Sequence, residues 1–88
     1  METIGLMVVP VRTGSGMVSL RCGRLPTGER VGIAFTTETA LIKVMGRDQA
    51  WIVLGHGAMK TMLAPLGIRR IQVDPELVSG TFSMSLSA

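Results

Sequence analysis

His56 stands between Gly55 and Gly57, where an apolar run from Ala50 to Leu54 gives way to helical spacing, and Lys60 follows one turn later. An imidazole and an ammonium so placed offer a general acid/base and an anion contact. They lie at a strand's carboxyl end, where open sheets receive ligands and helix-opening N–H groups attract anions. His56 and Lys60 are therefore the candidate catalytic pair, and Gly55, His56, Gly57 and Arg70 the candidate ligand or anion contacts. The plainer reading is a loop histidine exposed by glycines that serve the turn. Lys60 occupies the place of the third glycine in a dinucleotide fingerprint, and no Gly-Lys-Ser/Thr occurs, so both phosphate-loop signatures fail.

Other reactive residue types are sparse. Cys22 alternates with Val18 and Leu20 and reads as a small buried hydrophobe; with one Cys and one His the chain has too few soft ligands for a structural zinc site. No metal and no cofactor are expected. Glu38 suits a helix start and Asp74 a turn before Pro75, so the scattered carboxylates do not pair for acid/base work. Trp51 could stack on a base, but one aromatic without neighbours reads first as core. Arg69-Arg70 could grip a carboxylate or phosphate, or be a solvated pair on an edge; Arg47 is a further candidate to orient a substrate.

Composition narrows the class. The chain has 88 residues, 47% hydrophobic and 17% charged, which argues for one small folded domain whose modest core an oligomer would help. Seven Met against two Phe and one Trp imply an adaptable aliphatic core. The net charge of +3 comes mostly from arginines dispersed along the sequence, without the basic block of a nucleic-acid binder. A single cysteine fits a reducing cytoplasm, and no signal peptide or membrane span is expected.

The elements that must position these residues follow from periodicity. Leu6 to Arg12 reads as a strand that Pro10 confines to an edge or to part of the sheet. Thr13-Gly14-Ser15-Gly16 turns the chain, two glycines supplying positive φ, and Met17 to Leu25 alternates as a half-buried strand. Pro26-Thr27-Gly28-Glu29 reverses it into Arg30 to Phe35, where Gly32 weakens the strand unless a close neighbour gains from the missing side chain. Thr36 or Thr37 caps a helix carrying Leu41, Val44 and Met45 on one face and stopped by Gly46. Ala50 to Leu54 reads as a central strand buried on both faces, Gly57 to Ala64 as a helix with a Met59, Met62, Leu63 face, and Ile68 to Asp74 as the last strand. The expected fold is α/β (α+β): a small mixed sheet, an N-terminal antiparallel meander followed by β-α-β-α-β with parallel crossovers, and two helices packed on the sheet. Residues 1–78 form the expected single domain. Residues 79–88, where Phe82, Met84 and Leu86 alternate with serine, form a tail that is either frayed or an arm adding to a partner's sheet.

Val31-Gly32-Ile33-Ala34-Phe35-Thr36-Thr37-Glu38-Thr39-Ala40-Leu41 and Leu66-Gly67-Ile68-Arg69-Arg70-Ile71-Gln72-Val73-Asp74-Pro75 resemble the N-terminal domain of SseB-type bacterial proteins, some of which stand alone. The first stretch is similar to that family's strand running into a Thr/Ser-capped helix, the second to its closing strand with a terminal Asn/Asp-Pro. Glu76 stands where the family often places glycine. The resemblance implies a compact module with a binding or accessory role and supplies no catalytic residue.

The expected function is thus a non-enzymatic accessory or protein-interaction module, self-associating as a homodimer through a sheet edge, the Met-bearing helix, or Phe82, Met84 and Leu86. The alternative is a small metal-independent enzyme or ligand carrier with its pocket at Gly55-His56-Gly57, acting on an anionic or apolar metabolite. Nucleic acid is a weaker partner, and a membrane is not expected.

Overall fold

The computed structural model describes residues 5–76, 78 and 82–85. Its elements are strands β1 (Leu6–Gly14), β2 (Met17–Arg24) and β3 (Arg30–Ala34), helix α1 (Glu38–Met45), strand β4 (Trp51–Gly55), helix α2 (His56–Leu63) with a 3-10 turn (Ala64–Leu66), and strands β5 (Ile71–Val73) and β6 (Phe82–Ser85). This is the expected small α+β fold, an antiparallel meander joined to a mixed sheet with two packed helices. No helix among the described residues is long and apolar enough to cross a membrane.

The meander closes on itself. β1 pairs with β2 from Val11↔Leu20 to Gly14↔Met17, and β2 pairs with β3 from Cys22↔Gly32 to Arg24↔Arg30. β3 then returns to β1, where Val8 and Phe35 exchange both backbone hydrogen bonds at 2.8 Å. The first turn takes its left-handed backbone at Ser15 (φ 52°) and Gly16 (φ 75°), the two central positions of a hairpin whose twist suits its strands, and not at Gly14 as expected.

Pro10 is buried inside the sheet, against the expectation of an edge. The reason is the fork in β1's pairing. Val8 donates to Phe35 on one side and Val11 to Ala50 on the other. By strand alternation the nitrogen of Pro10 faces the same side as Val8, at the gap between the Phe35 bridge and the start of β2 pairing, so no ladder bond is lost.

β4 is likewise not the sheet's centre. It pairs antiparallel with β1, from Leu6↔Gly55 to Pro10↔Trp51, and ends the strand order β4-β1-β2-β3-β5. Val53 is 53% exposed and Trp51 only half-buried. A continuous apolar run signals two contact faces but says nothing about how many neighbours the strand has. Among the described residues the one parallel pairing is β3 with β5, from Gly32↔Ile71 to Ala34↔Val73, so α1, β4 and α2 together form a single long crossover. β5 is shorter than expected, and Val73 is exposed at its edge. Residues 82–85, expected outside the compact unit, pair with β2 of their own chain from Ser19↔Ser85 to Cys22↔Phe82. Leu86 lies outside the described residues.

Each sheet face has its own helix. Val9, Val11, Leu20, Cys22 and Ala34 pack with Met59, Leu63 and Ile68 under α2, while Val8, Ile33 and Phe35 pack with Leu41 under α1. Gly32 permits the first packing: a Cβ there would lie 2.6 Å from Leu63 Cδ1 and 3.1 Å from Met59 Cε. The close neighbour expected for that glycine is α2.

Candidate functional site

α2 begins immediately at the end of β4, so the strand-to-helix corner has no loop. Gly55 is the N-cap with extended backbone and contributes no side-chain cap. The His56 N–H donates to Gly5 O at 2.6 Å, which ties the helix start to the beginning of β1. A Cβ at Gly55 or Gly57 would meet nothing within 4 Å, so both glycines border open space.

Beside His56 lies a hollow of about 520 Å³, lined by Glu29, His56, Lys60, Arg69, Arg70 and Ile71. Candidates 4 to 14 positions apart thus meet on one wall. Arg70 comes from the segment entering β5, and its guanidinium is 3.8 Å from the Glu29 carboxylate of the β2–β3 turn, both well exposed, so the pair contributes little stability. Arg30 donates to Leu66 O at 3.2 Å and sits opposite Arg24 across the hairpin. Arg47 precedes β4, at the opposite end of that strand from His56, and does not line the hollow.

Several basic residues that are dispersed along the sequence meet here in space. Lys60, Arg69 and Arg70 line the hollow together with Glu29, and Arg24 and Arg30 flank the hairpin turn that carries Glu29. Glu29 is the lining residue that no sequence pattern singles out, because it reaches the site from a turn 27 positions away from His56.

Elsewhere the reactive groups are quiet. Cys22 is fully buried, and burial pushes its thiol from the usual 9.0 up to about 11, Arg30 only partly opposing the rise. The described residues contain no group of three or more His, Cys, Asp or Glu able to hold a metal ion. Asp74 is structural: at φ 53° it accepts from the Thr36 N–H at 2.9 Å and the Thr36 hydroxyl at 2.8 Å, latching the end of β5 to the start of α1.

The second feature is an edge. The Val11 N–H donates to Ala50 O and the His56 N–H to Gly5 O, so the even-numbered backbone groups of 50–56 face β1. Those of Trp51, Val53 and Gly55 therefore face outward, along an edge that pairs with nothing among the described residues. β4 carries no charge and no proline, and on its outer face Val53 lies beside Leu6, which is 76% exposed. Met59, by contrast, is spent in the core. No family model, no curated protein and no solved structure matches this chain.

Proposed function

We propose that the protein is a non-enzymatic, self-associating interaction module of SseB-like type, and that two copies join through β4. The observation that carries this reading is the bare edge: an uncharged apolar strand with outward N–H and C=O groups is a template for strand addition, which chains built to stay apart block with lysine, proline or a bulge. The Met-bearing helix is occupied by the core and β6 by its own β2, which leaves the two ends of the sheet, and of these β4, with five residues against three in β5, presents the longer apolar edge. The resemblance of residues 31–41 and 66–75 to an accessory-domain family supports the same conclusion; these stretches meet through the Thr36–Asp74 hydrogen bonds.

The strand is self-complementary under a two-fold axis through Val53. Val53 of each copy exchanges both backbone bonds with its equivalent, Trp51 faces Gly55 of the other copy, and Asp48 falls opposite the opening of the second copy's α2, where negative charge is favoured. Sedimentation velocity across the micromolar range tests the association, which Val53→Lys abolishes and His56→Ala leaves intact. Because Cys22 is buried with a raised pKa, a cysteine introduced at position 53 is the sole reactive thiol, and oxidative cross-linking of Val53→Cys reads the register. A strict monomer at high micromolar concentration ends the proposal; a dimer that Val53→Lys does not disturb ends the β4 assignment.

A further inference from the structure

Two hollows adjoin at the corner between α2 and β5, and their walls differ in chemistry. The first is the cationic one beside His56. The second, of about 250 Å³, is lined by Leu63, Ala64 and Ile68 and shares Lys60, Arg69 and Ile71 with the first. Apart from those two shared cations, its wall is aliphatic and offers no side-chain donor or acceptor.

We propose that this double cleft binds an amphipathic anion: a phosphate or carboxylate head held by Lys60, Arg69 and Arg70 beside His56, with a short aliphatic body lying on Ala64 and Ile71, over the buried Leu63 and Ile68. Lys60, Arg69 and Arg70 converge on a hollow where Glu29, the one carboxylate among its described lining residues, is loosely held 3.8 Å from Arg70. Their mutual repulsion is unfavourable until an anion enters, and the planar arginine fork suits a phosphate or carboxylate better than a monatomic ion. The combined size lies within the range of small-molecule sites, which pair a mostly apolar wall with a few convergent polar groups. A base or sugar would leave its polar edge against Ala64 and Ile71 without side-chain partners, so the aliphatic wall selects a hydrocarbon body. A free metabolite and a lipid headgroup with its first methylenes share this chemistry.

The test is a ¹H–¹⁵N NMR titration of the whole chain with inorganic phosphate, with butyl phosphate, and with phosphatidylglycerol vesicles. Butyl phosphate is expected to shift the amides of Lys60, Ala64 and 68–71 and to bind roughly tenfold more tightly than inorganic phosphate, since burying one methylene is worth about fourfold. The double variant Lys60→Ala, Arg70→Ala weakens binding by about tenfold or more. Ala64→Glu, at an exposed position of the aliphatic wall, removes the advantage of butyl phosphate without touching the core. Equal affinity for the two phosphates, or equal weakening by Arg12→Ala in a different hollow, overturns the site in favour of diffuse charge. Binding to vesicles as well as to butyl phosphate assigns the head to a lipid, binding to butyl phosphate alone to a free metabolite, and failure of both overturns the proposal.

Discussion

The two helices close opposite faces of one sheet, yet their N-termini are finished in different ways. α1 is satisfied by its own sequence: Thr37 accepts from the Ala40 N–H at 3.0 Å, Glu38 sits in the first turn and Lys43 in the last, and Gly46 ends it. α2 also carries a lysine, Lys60, in its last turn, but it has a glycine cap and no acidic residue in its first turn. It is held by packing on Gly32 and by the Gly5 carbonyl instead. A helix that leaves its positive end without a side-chain cap beside arginines forgoes local stability and keeps an anion-attracting corner, so the contrast separates a helix finished by its own sequence from one finished by its tertiary neighbours.

If packing holds α2 while capping helps hold α1, truncation should have unequal effects. Leu63→Ala, at a fully buried side chain, is expected to cost about 2–5 kcal/mol in denaturant unfolding. Gly32→Val, which drives a branched side chain into Leu63 and Met59, costs about 1–3 kcal/mol. On the α1 side, Thr37→Ala is expected to cost about 1 kcal/mol. A Thr37 loss as large as that at Leu63 would erase the distinction.

Gly55→Asp sharpens it further. The position has room for a side chain and a backbone an aspartate can adopt, so the substitution supplies the missing cap and stabilises the chain by about 0.5–1 kcal/mol. The same carboxylate should weaken anion binding at the corner. Stabilisation with binding unchanged would separate the corner from the cleft. A last effect concerns Cys22: because its folded pKa is raised, the neutral thiol's contribution to stability is complete below about pH 9 and is lost as pH rises toward 11. Stability measured from pH 8 to 11 should therefore fall more for the wild type than for Cys22→Ala.

Much of the local structure was legible from single residues. The Thr37 cap, the Gly46 stop, the hairpin reversals and the close neighbour of Gly32 each follow from one side chain or its absence, and each is observed. What misled were features that depend on neighbours distant in sequence. Trp51 to Gly55 reads as a central strand because both its faces carry apolar residues, whereas only its pairing with β1 decides that it lies at an edge. Pro10 reads as an edge residue because a missing N–H is costly inside a ladder; the fork between Phe35 and β2 removes that cost. Of the candidate site, His56, Lys60 and Arg70 do meet, but Glu29 and Arg69 join them only through the β2–β3 turn and the approach to β5.

The sequence alone determined which segments form strands and helices, the ends of those bounded by a cap or a turn, and the scarcity of nucleophiles and metal ligands, because capping, turn chemistry and alternation act over a few residues. Tertiary structure decided strand order, which edge stays open, and the meeting of Lys60, Arg69 and Arg70 with Glu29 at one hollow. Those depend on which distant segments pair, and pairing is chosen by the total burial of both faces, a quantity that no window of the chain contains.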